Sequence, residues 1–121
     1  MSTKRYEGRD VLTGRSVRVT ARSGVVEELE LLDTSADLPW ISPGLVDLQV
    51  NGFGGIDLNS ADLTADDVSQ MTRALADHGT TSWVPTIITQ SHDHIAERLR
   101  TLAQAVEHDP AVAAAVSCAH I

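Results

Sequence analysis

From Leu45 onward the sequence predicts an α/β fold: a parallel sheet in the order strand, helix, strand, helix, strand, preceded by a segment of short strands and turns. Three observations predict it. Short apolar runs at residues 45–50, 80–89 and 112–121 alternate with two stretches of helical spacing. Each helical stretch opens on a residue suited to an N-cap, Thr64 and Ser91. The composition, 42% hydrophobic and 21% charged over 121 residues, suits a soluble globular chain with room for one ordinary domain. Strands that alternate with amphipathic helices imply right-handed crossovers and parallel pairing. Three such strands and two helices leave sheet faces and edges uncovered, so the fold is expected to be incomplete.

The elements follow in chain order. Residues 16–21 alternate apolar and polar, with Val17, Val19 and Ala21 set against Arg18 and Thr20, which predicts a strand. Ser23-Gly24 turns the chain and residues 25–32 form a second strand. Residues 33–39 are polar and irregular, and Trp40-Ile41-Ser42-Pro43-Gly44 breaks regular structure and marks a boundary. Residues 45–50 then read as a buried strand. Asn51-Gly52-Phe53-Gly54-Gly55 is too rich in glycine for a helix or a strand interior.

Thr64 starts a helix with Asp66 and Asp67 in the first turn, where carboxylates favour the helix dipole. Val68, Met71, Leu75 and His78 keep helical spacing, and Gly79 stops it. Residues 80–89 are rich in β-branched side chains, although Pro85 implies a bulge or the end of pairing. Ser91 caps a second helix on which Ile95, Leu99, Leu102 and Val106 are four, three and four apart, and His108-Asp109-Pro110 ends it. Residues 112–121 complete the series as a buried strand that contains His120 and Cys118.

Charge and composition exclude several classes. A formal charge of -8 argues against a nucleic-acid binder, whose footprint is basic. No apolar run approaches the roughly 18 residues of a membrane span. The N-terminus has no apolar core of a secretory signal, and a single cysteine, predicted buried and inert, suits a reducing cytoplasm. Lys4, Arg5, Arg9, Arg15, Arg18 and Arg22 crowd the first 22 positions. That cluster is an anion-binding strip or, in better accord with the alternation, a solvated strand face.

Reactive groups in parallel α/β folds gather at the carboxyl ends of strands. The candidates there are Gln49 and Asn51 after the first strand, Thr86 near the end of the second, and His120 on the third, all expected on one side of the sheet. Their alternative role is structural, as strand-end caps and a satisfied core histidine. His92-Asp93-His94 imitates a metal-binding pair. In the first turn of a helix, however, residues two apart diverge by about 200° and do not chelate one ion. His78 and His108 sit at helix C-terminal ends, where imidazole suits the dipole. Gly52, Gly54 and Gly55 lack the partners of a phosphate loop or a dinucleotide fingerprint.

Residues 43–59, PGLVDLQVNGFGGIDLN, resemble the segment that opens the barrel in the N-acetylglucosamine-6-phosphate deacetylase family of amidohydrolases. Most amidohydrolases end this strand in a His-x-His metal pair; this family carries Gln-x-Asn followed by glycine, as in Gln49-Val50-Asn51-Gly52. Gly79-Thr80-Thr81 and Val84-Pro85-Thr86-Ile87-Ile88-Thr89 resemble the family's second-strand segment. Ala119-His120-Ile121 resembles the start of its His-x-Glu-Gly-Pro motif, whose glutamate is a metal ligand.

The resemblance implies that residues 43–121 are the first strands and helices of a truncated (β/α)8 barrel. Residues 1–42 would be N-terminal strands of a small β-sandwich domain. It also implies hydrolysis of the acetamide of N-acetylglucosamine 6-phosphate to amino sugar phosphate and acetate, a step of amino sugar metabolism. A divalent metal of the zinc or iron class and a homo-oligomeric full-length protein belong to the same expectation. Gln49, Asn51, Gly52, Thr86 and His120 would then form the pocket rim, while the main metal ligands and the catalytic acid/base lie beyond Ile121. By itself the chain is expected to be inactive. The alternatives are an amidohydrolase for a different N-acyl or cyclic amide, and a non-catalytic module whose open sheet edges are completed by a partner chain.

Overall fold

A computed structural model describes residues 2–34 and 36–121. The chain divides between Pro43 and Gly44 into two compact units.

The first unit is a four-stranded sheet. β1 (Thr3–Asp10), β2 (Ser16–Arg22), β3 (Val25–Leu31) and β4 (Trp40–Ile41) lie in the order β3-β2-β1-β4. β1–β2 and β2–β3 are antiparallel and β1–β4 is parallel. The expected turn joins β2 to β3 with Ser23 and Gly24 both at positive φ, 51° and 85°, the backbone that a tight two-residue hairpin demands. Register sorts the faces. Tyr6 faces Val19 and Leu29, and Gly8 faces Val17 and Leu31, while Glu7, Arg18 and Glu30 line up on the opposite side.

Arg18 donates through Nε and Nη2 to Glu7 Oε1 (2.9 and 2.7 Å) and through Nη1 to Glu30 Oε2 (2.8 Å). Arg22 pairs with Glu27 at 3.1 Å. Two members of the basic cluster are thus engaged by neighbouring strands, as a solvated strand face requires, and its anion-binding reading loses them. Two elements depart from expectation. β1 is a full strand although its sequence shows no clean alternation. Trp40–Ile41, expected to be irregular, pairs with Arg9–Asp10 as β4, and Gly8 permits it: a Cβ there would lie 2.8 Å from Ile41 Cβ and 2.9 Å from Pro39 O.

The second unit contains β5 (Leu45–Val50), β6 (Gly52–Phe53), β7 (Ile56–Asp57), α1 (Ala65–Asp77), β8 (Thr80–Pro85), α2 (His92–His108) and α3 (Pro110–Ala115). β5 and β8 pair in parallel around the α1 crossover. α1 begins with a full capping box: Thr64 Oγ1 accepts from Asp67 N (3.2 Å) and Asp67 Oδ2 accepts from Thr64 N (2.9 Å). The Thr64 hydroxyl, then its backbone N–H, hold the Asp67 carboxyl below its ordinary range. α1 ends at His78, whose Nδ1 meets Ala74 O at 2.8 Å, and Gly79 leaves the helix at φ 89°.

Val68, Met71 and Leu75 of α1 pack with Trp83, Ile87, Leu58, Leu63, Leu102, Ala105 and Val112 into one core. Burying each of the larger of these side chains stabilises the unit by about 1.5–3 kcal/mol.

Four expectations are corrected in this unit. β5 is a strand but not a buried one: Val50 is 4% exposed, whereas Leu48 is 72% exposed, because β8 is its one sheet neighbour among the described residues. The glycine cluster is a small antiparallel hairpin, β6–β7, turned by Gly54 and Gly55 at φ 63° and 86°. Residues 110–115 are helical, not the start of a strand. Asp109 caps α3 by accepting from Ala111 N (2.9 Å), Pro110 occupies its first turn, and the alanine-rich run favours helix. Of the expected third strand there remains one parallel bridge, Thr86–His120. Cys118 lies on this sparsely paired segment and is exposed, not buried.

Candidate functional site

The carboxyl ends of β5 and β8 lie side by side, and His120 stands beside the second. Thr86 N donates to Val50 O (2.8 Å), Ile87 N donates to His120 O (2.9 Å), and His120 N donates to Pro85 O (2.9 Å). The third expected strand has shrunk to one residue, yet its place next to β8 and its parallel direction are kept. Two strand ends and one bridged residue therefore meet. Pro85 closes β8 as the last paired residue on its strand, which is the alternative its missing N–H allows.

Thr86 is buried at 6% exposure, and its hydroxyl lies 3.5 Å from Val84 O. Gln49, Asn51, Gly52 and His120 are exposed. Gln49 N donates to Asp47 Oδ1 (3.0 Å), which bends the end of β5 within an irregular register between Asp47 and Val50. Asn51 O accepts from Leu58 N (3.0 Å). A Cβ on Gly52 would run into Ile56 O, so the tight β6–β7 hairpin that begins at Asn51 needs glycine there. Backbone bonds thus join Val50, Thr86 and His120 into one neighbourhood, with Gln49 and Asn51 on either side of Val50. The exposed amides of Gln49 and Asn51 offer donors and acceptors suited to a polar neutral group.

Two residues that the sequence reading passed over build the neighbourhood. Asn59 gives its Nδ2–H to Thr86 O (3.2 Å) and accepts from Ile88 N at Oδ1 (2.9 Å). Arg98, 1% exposed on α2, donates through Nη2 to Ala61 O (3.2 Å) and through Nη1 to Ser60 O, tying the loop that follows Asn59 to the helix. An asparagine in the polar turn Asp57-Leu58-Asn59-Ser60 carried little signal. An arginine among the polar positions of an amphipathic helix carried none.

His92 and His94 lie in the first turn of α2, where His94 N donates to the Ser91 cap (3.3 Å). His108 Nδ1 meets Gln104 O at 2.7 Å, so both helix-terminal histidines bond to their own helices. Among the described residues no three His, Cys, Asp or Glu side chains cluster in a way that would hold a metal ion. The residues present do not by themselves fit the divalent metal that the resemblance implies. No helix among the described residues is long and apolar enough to cross a membrane.

No family model and no curated protein matches this chain. Solved structures do. The chain is similar to an N-acetylglucosamine-6-phosphate deacetylase from Thermotoga maritima with a TM-score of 0.72 and 20% identity, covering 90% of this chain and 29% of that one. It is similar to the N-acetylglucosamine-6-phosphate deacetylase from Pasteurella multocida with a TM-score of 0.63 and 22% identity, covering 77% of this chain and 26% of that one. The chain thus spans between a quarter and a third of the length of these neighbours. At such identity the likeness establishes the fold: a mixed α/β arrangement shared with part of two deacetylases.

Proposed function

We propose that this chain is the N-terminal part of a metal-dependent amidohydrolase that removes the acetyl group from N-acetylglucosamine 6-phosphate, yielding amino sugar phosphate and acetate. The observation that carries the reading is the meeting of the carboxyl ends of the parallel strands β5 and β8 with the bridged residue His120, which places Asn51, Thr86 and His120 where a barrel enzyme keeps its chemistry. The shared fold of two deacetylases supports the same substrate class.

In this reading residues 1–42 are strands of a small β-sandwich domain and residues 43–121 are the first strands and helices of a (β/α)8 barrel. Gln49, Asn51, Gly52, Thr86 and His120 form the rim. The Gln49 and Asn51 amides orient the substrate through neutral hydrogen bonds, Gly52 lets the β6–β7 hairpin close beside them, and His120 shapes the wall. In this reading the metal ligands and the acid/base residue belong to other parts of the whole protein. A cytoplasmic homo-oligomer is the form proposed for the whole protein.

Acetate release from N-acetylglucosamine 6-phosphate by the full-length protein that carries this chain tests the reading. Turnover that is lost on Asn51→Ala with the fold intact supports it. Efficient turnover of other N-acyl or cyclic amides, with none of this substrate, would replace it with a different amidohydrolase activity.

A further inference from the structure

Three consecutive backbone amides at the end of β8 donate to three separate parts of the second unit. Thr86 N bonds Val50 O, Ile87 N bonds His120 O, and Ile88 N bonds the Asn59 side chain. The only side chain in this set is that of Asn59, and it grips the tripeptide at both ends, on Thr86 O and on Ile88 N. Asn59 is itself anchored: its N–H donates to Asp57 Oδ1 (2.8 Å), and the preceding residue, Leu58, is buried and donates to Asn51 O. The amide therefore stands between the stretch that carries Asn51 and the stretch that carries Thr86 and, through Ile87, His120.

We infer that Asn59 is a positioning residue that sets where Thr86 and His120 stand relative to Asn51. The chemistry requires a carboxamide. One end must donate to a carbonyl and the other must accept from an N–H in the same plane, which neither a hydroxyl nor a carboxylate does as well. His120 has one bridge to the sheet and no strand of its own, so its placement depends on the tripeptide more than that of Asn51 does. The consequence for catalysis rests on the deacetylase reading; the positional effect does not.

The test compares Asn59→Ala, Asn59→Asp and, as a purely structural control, the helix-cap variant Thr64→Ala, all in the full-length protein. Amide hydrogen exchange is read at Ile87 and Ile88, and the NMR signals of the His120 ring report its surroundings. Asn59→Ala is expected to speed exchange at Ile88 by about tenfold, to speed it at Ile87, and to shift the His120 signals. Asn59→Asp keeps the acceptor, so Ile88 stays protected while Ile87 and His120 respond. Thr64→Ala leaves the His120 signals unchanged and, through its loss of overall stability, changes exchange at Ile87 and Ile88 equally and by no more than about fivefold. Unmoved His120 signals in a folded Asn59→Ala protein, or an equal shift in Thr64→Ala, would overturn the inference.

Acetate release measured on the same samples separates the two proposals. A protein that releases no acetate before mutation, yet shows the Asn59 pattern, loses the deacetylase reading and keeps the positioning role. If the deacetylase reading holds, Asn59→Ala slows turnover by about a hundredfold, the scale of a misplacement near 1 Å.

Discussion

The two units are held together in different ways. Val17 is the one fully buried apolar side chain of the first unit among the described residues, while the second gathers Val68, Met71, Leu75, Trp83, Ile87 and their neighbours into a continuous core. In the first unit the strands are complete and well registered, but one face carries Tyr6, Val26, Leu29 and Leu31, each about half exposed or more. In the second the helices bury well and the sheet is short, with Leu45, Val46 and Leu48 open on β5. Hydrogen-bond ladders and exposed ion pairs define a sheet's register, but burial supplies most of its stability. The contrast teaches that a sheet can be well specified and still be weakly held.

The sharpest way to break this comparison is a pair of truncations. Met71→Ala empties a fully buried position and is expected to cost about 2–5 kcal/mol. Leu29→Ala removes a side chain already 61% exposed and is expected to cost under about 1 kcal/mol. Urea unfolding of both variants measures the difference; equal losses would mean that the first unit has a core of its own.

A smaller effect is expected at the α1 cap. Thr64→Ala removes the acceptor for Asp67 N and should cost about 1 kcal/mol, read as a lower urea midpoint. Acid sharpens the contrast next. The Asp67 carboxyl is held low chiefly by the Thr64 hydroxyl, and that of Asp109 chiefly by the Ala111 N–H and then by Ser69. A folded-state value below the ordinary 3.8 gives stability that is fully present well above that pH and is lost as pH falls through the lowered value. Thermal melts taken from pH 5 downward should therefore decline most below about 4, and Thr64→Ala should flatten part of that decline.

The smallest change is expected from salt. Glu7 and Glu30 are exposed and Arg18 is about a third exposed, so raising the salt screens them, and the melting temperature of the first unit should move by only a degree or so. A large drop would show that this ion-pair ladder, and not burial, holds the sheet together.

Much of the fold was legible because its signals are short-range. Thr64 and Ser91 act on amides three residues away, Gly79 and Ser23-Gly24 supply positive φ, and Val68, Met71 and Leu75 face one way by helical period. The proximity of the segments that carry Asn51, Thr86 and His120 was legible for another reason, since strand ends on one side of a parallel sheet meet wherever the strands pair. The same local rules misled at residues 110–115. There an apolar run was read as a strand while Asp109-Pro110, a good helix start, was read as a stop alone.

The helix caps, the turns and the break in the chain near Pro43 were legible in the amino-acid sequence. Each of those depends on groups a few positions apart. The tertiary structure alone decided that β5 and Cys118 are exposed, that residues 112–121 contribute one bridge and not a strand, that Asn59 holds the Thr86–Ile88 stretch and that Arg98 holds the Ser60 and Ala61 carbonyls. The physical reason is one of partners: burial, sheet pairing and a side chain's choice of carbonyl are set by groups 27 to 38 residues away, as for Asn59 with Thr86 and Arg98 with Ser60.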